Sequence, residues 1–192
     1  MTADELRVAS RMSWVTTVIG MVAPVLVVAT IEQGGDLLPL KIFNAASFAA
    51  SAYVLLALRK LLIVRFQERS LDNWIWATIF LGGVGLAIGL IEAPPFYGDA
   101  DDISIAGLMI ILLPVALINV LFGRKILSLE ANLYDMNRIL GALLLVVGIL
   151  MLTLVLVPIA ALVNAAWFGA LATMFGRATA AAKQSDPHDG LS

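Results

Sequence analysis

The stretch from Leu140 to Phe175 contains no charged residue, and it constrains the fold more than any other feature of the sequence. One helical membrane span needs about 20 apolar residues, so this stretch is too long for one crossing and barely long enough for two. Proline lacks the backbone donor that continues a helix, and Pro158 divides the stretch into two similar halves. The sequence therefore predicts two spans joined by a tight turn near Leu156 to Ala160.

Composition also indicates that the whole chain is a membrane protein. Hydrophobic residues make up 61% of the 192 residues and charged residues only 14%, and the mean hydropathy is +0.97. Average soluble proteins are about 45–50% apolar and about 25% charged. A soluble domain could not bury so much apolar surface, so we expect an all-α fold, a polytopic integral membrane helical bundle with short loops.

Four shorter apolar runs precede the long one. They are Met12 to Thr30, Ile42 to Leu58, Trp74 to Ile91 and Ile103 to Phe122. Six transmembrane helices are the preferred prediction. The alternative has five, with the last segment flat on the membrane or re-entering it. Trp167 favours five, because in the middle of a sixth span it would lie far from the interface that tryptophan prefers. A surface-lying helix needs a polar face, which this segment lacks, so six is preferred.

Residues 1–192 are predicted to form a single transmembrane domain. A short polar N-terminal segment (1–11) precedes it, and a disordered polar C-terminal tail (177–192) ends it. The N-terminal segment mixes acidic and basic residues and precedes a long apolar run, which is not typical of a cleaved signal peptide.

The loops between the runs alternate in charge. Two of them are basic, with Arg59, Lys60, Arg65, Arg124 and Lys125 as their inner-surface residues. The other two are acidic, and one contains the segment GDADD (98–102). Lys and Arg favour the cytoplasmic side of a membrane. We therefore expect both basic loops and both termini to be cytoplasmic, in what we interpret as a bacterial cytoplasmic membrane.

Glycines in two of the runs indicate helix packing. Gly82, Gly85 and Gly89 fall on one helix face, which lets another backbone approach closely. Shifting the sequence by 59 positions aligns Gly82 with Gly141 and Gly89 with Gly148, and it also aligns Arg65 with Arg124. This predicts helix-packing roles for these five glycines. The shift fits either a duplicated two-span unit in parallel orientation or chance matches between Leu- and Ala-rich helices. The glycine face fits packing within the chain or a homo-oligomer.

Several classes of chemistry are excluded by residue content. The chain has no cysteine, and its one histidine, His188, lies in the polar tail. Disulfides, thiolate nucleophiles, a bis-histidine haem and a histidine-rich zinc site are therefore impossible. No nucleotide-binding or hydrolase motif occurs, and GDADD lacks the spacing of a calcium loop. We expect no enzyme, no cofactor, no metal and no nucleic-acid partner.

Polar groups within the spans are few. Asn44, Asn119 and Asn164 are the most polar ones, and they are suited to bonding a neighbouring helix or to lining a solute path. No charged residue falls in the middle of a span, which disfavours ion-coupled transport. In the second basic loop, the apolar residues are spaced as in a helix from Arg124 to Arg138. That spacing predicts an amphipathic helix on the inner membrane surface, or an extension of span four.

Two functions are compatible with these features. The preferred one is a non-catalytic membrane scaffold, an accessory or partner-binding subunit that contacts the lipid bilayer and a membrane-protein partner or a second copy. The alternative is a passive channel or facilitator for a small neutral solute, lined by the asparagines.

Overall fold

The computed structural model describes residues 1–32, 38–91, 105–153 and 156–184, and these contain six helices and no strand. The helices are α1 (Ala3–Glu32), α2 (Leu38–Phe66), α3 (Asp72–Ile91), α4 (Ile105–Leu127), α5 (Asn137–Leu152) and α6 (Val157–Gln184). The acidic segment 98–102 and His188 lie outside the described residues.

The uncharged stretch forms two helices, as predicted. Helix α5 ends at Leu152 and α6 begins at Val157, a few residues before the predicted turn. The Thr153 hydroxyl donates to the Leu150 carbonyl at 2.7 Å, which satisfies a backbone acceptor at the end of α5. Pro158 lies in the first turn of α6, where a missing backbone donor costs nothing.

The polar N-terminal segment 1–11 is helical from Ala3 onward. The Thr2 amide donates to Glu5 Oε2 at 3.0 Å and the Glu5 amide donates to Thr2 Oγ1 at 3.2 Å, so the two residues form a capping box. Helix α1 therefore begins at Ala3, and Leu6 and Ala9 are fully buried.

The prediction of a disordered tail over residues 177–192 is wrong for its first half. Helix α6 continues to Gln184, so residues 177–184 are helical, while 185–192 lie outside the described residues. The reason is packing, because Ala178 is fully buried against the core. The hydroxyl of Ser10 also donates to the carbonyl of Ala172 at 2.9 Å and joins α1 to α6.

The six helices form a ring. Each helix packs against the helices before and after it in sequence, and α6 packs against α1. Helices α1 and α6 are antiparallel, since Ser10 contacts Ala172 while Gly20 lies against Ala165. The start of α1 and the end of α6 therefore lie at the same end of the bundle.

The hairpins α2–α3 and α4–α5, which the 59-residue shift relates, pack differently. Helices α4 and α5 touch through backbone, because a Cβ on Gly123 would lie 2.7 Å from the carbonyl oxygen of Gly141. A Cβ on Gly148 would lie 2.6 Å from the carbonyl oxygen of Ala116. Between α2 and α3, by contrast, the Phe48 side chain fills the space beside Gly82. The second hairpin is therefore tighter than the first.

Neither the amphipathic helix nor the extension of span four to Arg138 that were expected for the second basic loop is present. Helix α4 ends at Leu127, and residues 128–136 form a loop tied by side chains. The Asn137 side chain accepts a hydrogen bond from the Leu133 amide and donates one to the Ala131 carbonyl, both at 2.6 Å. Tyr134 and Asp135 have φ of 54° and 62°, which a helix does not allow. The apolar residues of the loop contact the core instead of a membrane surface, with Leu133 and Met136 buried.

Among the described residues, two helical segments are long and apolar enough to cross a membrane, Lys41–Phe66 and Pro158–Gln184. Trp167, whose position argued against a sixth span, is buried at 2% exposure. It packs edge-on against Phe122 of α4 and against Phe168, with ring centroids 6.4 and 5.1 Å away. Helix α6 is thus a packed member of the ring.

Candidate functional site

The basic residues gather at one end of the ring, which we call the charged end. It is formed by the start of α1, the α2–α3 and α4–α5 loops and the end of α6. Every Lys and Arg of the chain lies there except Lys41, which is near the start of α2.

The five predicted inner-surface basic residues divide into two groups. Arg59 pairs with Asp72 of α3 at 2.9 Å and lies 6.0 Å from the centroid of the Trp76 ring. Lys60 pairs with Glu5 of α1 at 2.7 Å. These two cations therefore hold neighbouring helices of the bundle together. The other three, which form no ion pair with another described residue, are Arg65, Arg124 and Lys125.

Two carboxylates at the charged end have perturbed acidity. The hydrogen bond from Lys60, with a second from the Thr2 backbone, lowers the pKa of Glu5 from its ordinary value. Hydrogen bonds from the backbone and side chain of Ser70 lower the pKa of Glu68, and the charge of Lys125 acts in the same direction. Both acids are therefore ionised at neutral pH, and Lys125 lies close enough to Glu68 to feel its charge.

A cavity of about 360 Å³ lies inside the ring, between the two hairpins and α6, and we call it the inner cavity. Its wall is mostly apolar and comes from α2 to α6. The lining includes Phe48, Ser51, Gly82, Asn119, Asn164 and Trp167.

Two side-chain amides border the inner cavity. Asn119 of α4 is buried, and its Nδ2 atom lies 3.6 Å from the sulfur of Met151, a weak acceptor. Asn164 of α6 borders the same space and makes no hydrogen bond to another described residue. Asn119 and Asn164, two of the three amides expected from the sequence, are therefore brought together from two helices, and the described residues satisfy their polar groups only in part.

Trp167 forms part of the same wall. Its indole Nε1 is buried and has no hydrogen-bond partner among the described residues. Tight packing against Phe122 and Phe168 holds the ring in this position despite the unpaired donor.

Fully buried side chains of α2 to α5 and of the α2–α3 loop lie between the inner cavity and the charged end. This layer consists of Leu58, Leu61, Leu62, Leu71, Ile75, Ile126 and Leu140. A molecule in the cavity could therefore not reach the charged end without a change in the packing of these helices.

The predicted packing glycines occupy different environments. Gly141 and Gly148 lie in the tight α4–α5 contact, together with Gly123, which the sequence analysis did not single out. Gly89 lies in the last turn of α3. Gly85 departs from the expected helix contact, because a Cβ built there would meet no described atom within 4 Å. It borders a second cavity instead, and Asn44 borders that cavity too.

Comparison with protein-family models, curated proteins and solved structures finds no match to this chain. The site therefore has to be interpreted from its own geometry. Sequence reasoning found Asn119 and Asn164 because amides are rare in apolar helices. It missed Phe48 and Ser51, because one phenylalanine or serine in an apolar run carries no signal of its own.

Proposed function

We propose that all six helices cross a membrane, with the charged end and both termini on the cytoplasmic side of a bacterial cytoplasmic membrane. The concentration of Lys and Arg at one end supports this orientation. Large apolar side chains on the outside of the ring support the membrane environment, since soluble proteins rarely expose so many. Examples on all six described helices are Val18, Val25, Ile42, Phe80, Leu113, Ile149 and Leu162.

Within that membrane protein, we propose that the inner cavity admits a small neutral solute and that the chain is a non-catalytic facilitator. The observation that carries the proposal is that Asn119 and Asn164, from different helices, border one cavity. A carboxamide is uncharged and offers both donors and an acceptor, so two of them suit a neutral molecule with hydroxyl, carbonyl or amide groups. The mostly apolar remainder of the wall is typical of ligand cavities.

This structure represents the state in which the cavity is closed toward the charged end. Passage of a solute then requires a second arrangement in which the buried layer below the cavity opens. The Arg59–Asp72 pair joins α2 to α3 at that end, so it stabilises the closed state.

A liposome experiment tests the facilitator proposal. Glycerol entry is followed by light scattering in liposomes with and without the purified protein. We expect faster entry with the protein, and the rate of protein-free liposomes when Ala161→Phe fills the cavity. The matched control is Ala166→Phe, on the exposed side of the same helix, which should behave like the unmodified protein. Unchanged entry of glycerol, urea and water with the unmodified protein would refute the proposal.

A second candidate function is that of a scaffold or accessory subunit that binds a membrane-protein partner or a second copy through the charged end. Arg65 and Arg124 favour it, because both are exposed and neither forms an ion pair with another described residue. Neutralising both with glutamine should reduce co-purification of a partner from native nanodiscs. Arg7→Gln is the control, since Arg7 already pairs with Asp4 at 3.2 Å.

A further inference from the structure

A second cavity of about 320 Å³ lies between α2 and α3, toward the end of the ring opposite the charged end. We call it the outer cavity. Its lining residues are Lys41, Asn44, Ser47, Phe48, Gly82, Gly85 and Leu86. Phe48 and Gly82 also line the inner cavity, so the two spaces meet at these two residues.

The aromatic ring of Phe48 lies against the surface of α3 at this meeting point. A Cβ on Gly82 would lie 3.0 Å from Cε2 of Phe48, which is tighter than an ordinary contact, so the ring would have to shift by a few tenths of an ångström. A Cβ on Gly83 would lie 3.5 Å from Cζ of the same ring, which is an ordinary contact. Gly82 therefore lets the ring lie closer to α3 than it could beside an alanine at that position.

Polar groups lie on both sides of that ring. On α2, Asn44 and Ser47 border the outer cavity, and Ser51, one helical turn beyond Ser47, borders the inner cavity. Asn119 and Asn164 continue the series across the inner cavity. A neutral molecule with hydrogen-bonding groups would thus find partners on each side of Phe48 and an apolar barrier at it.

We infer that the two cavities form one entry route from the end opposite the charged end, and that Phe48, resting on Gly82, divides the route and determines which neutral molecules reach Asn119 and Asn164. This inference rests on the proposed function for its physiological ligand. The geometry on which it depends, however, can be tested without any solute.

The absence of cysteine from the chain allows a single-cysteine test. Ser47→Cys reports on the outer cavity and Ser51→Cys on the inner one. The rate of modification by methyl methanethiosulfonate, a small neutral thiol reagent, is measured for each in nanodiscs. We expect Ser47→Cys to react several-fold faster than Ser51→Cys, and Phe48→Ala to remove the difference by accelerating Ser51→Cys. Equal rates at Ser51→Cys with and without the Phe48 ring would overturn the inference.

Two controls separate an opened route from a loosened fold. Phe80→Ala removes a ring of the same size from the outside of α3, where 70% of Phe80 is exposed, and should leave the Ser51→Cys rate unchanged. Ser13→Cys reports on a fully buried position of α1 and should stay unreactive in the Phe48→Ala background. Labelling of Ser13→Cys in that background would mean general loosening and would contradict the inference.

Neighbouring glycines give an independent test of the resting position of the ring. Gly82→Ala should displace the Phe48 ring and accelerate Ser51→Cys, whereas Gly83→Ala should not, because its Cβ has room. Equal effects of the two substitutions would refute the role of Gly82. The labelling assay uses no solute, so a negative glycerol result with Phe48-dependent labelling would reject the proposed function alone. Glycerol entry with Phe48-independent labelling would reject the divided route alone.

Discussion

Gly123 of α4 and Gly141 of α5 meet backbone to backbone, with the carbonyl oxygen of Gly141 only 2.7 Å from the position of a Cβ on Gly123. Helices that approach this closely gain dispersion contacts along their whole length, which is the main source of helix association in lipid. The α4–α5 pair is therefore the rigid wall against which the looser α2–α3 hairpin leaves room for the cavities.

A matched pair of substitutions should show this difference. Gly148→Ala places a methyl group 2.6 Å from the Ala116 carbonyl oxygen, and overpacking of this kind costs about 1–3 kcal/mol. Gly85→Ala meets no described atom within 4 Å and should be neutral or stabilise α3 by about 0.5–1 kcal/mol, because alanine favours helix. Thermal unfolding in one detergent compares them, and equal melting temperatures would contradict this account of the packing.

Trp167 is expected to contribute through packing rather than through its indole donor. Trp167→Ala removes the contacts with Phe122 and Phe168 and should cost about 3–5 kcal/mol. Trp167→Phe keeps an aromatic ring and removes an unpaired buried donor, a group that costs about 1–3 kcal/mol, which offsets the lost volume. Equilibrium unfolding should place Trp167→Phe near the unmodified protein. A loss as large as that of Trp167→Ala would mean that the donor has a partner.

The Glu5–Lys60 pair predicts a pH effect of definite sign. Its hydrogen bonds hold the pKa of Glu5 below the ordinary value of 4.5. A carboxyl with a depressed folded-state pKa stabilises the fold above its unfolded pKa, and the contribution disappears as the pH falls through the folded pKa. The melting temperatures of Glu5→Gln and the unmodified protein should therefore differ slightly at pH 7 and converge as the pH falls below 4.5. Glu130→Gln, at an exposed loop position, is the control for the loss of one surface carboxylate.

The number of helices could be predicted from sequence because it depends on local features. The uncharged stretch is too long for one span, so a break was expected, and Pro158 lies within a few residues of the observed break between α5 and α6. Asn119 and Asn164 could be selected because amides in apolar helices are few. The loop after α4 could not be predicted by spacing alone. Its shape depends on side-chain to backbone bonds from Asn137 and on left-handed residues, and these compete with helix formation.

The sequence pattern also could not predict what each helix face packs against. The spacing of Gly82, Gly85 and Gly89 identified a face of α3 but not what lies opposite, and at Gly85 this is the outer cavity. No packing role was predicted for Gly123, because it belongs to no repeated glycine spacing and the 59-residue shift aligns it with Val64.

The central claim, a six-span ring with its charged end in the cytoplasm, is tested most directly by labelling single cysteines in intact cells with a membrane-impermeant maleimide. Ser128→Cys in the α4–α5 loop and Ser192→Cys at the C-terminus should be labelled only after the cells are broken, because both would face the cytoplasm. Gly98→Cys, in the acidic loop, should be labelled in intact cells. If Ser192→Cys is labelled in intact cells and Ser128→Cys is not, the chain has five spans. Labelling of all three positions in intact cells would contradict the proposed membrane orientation.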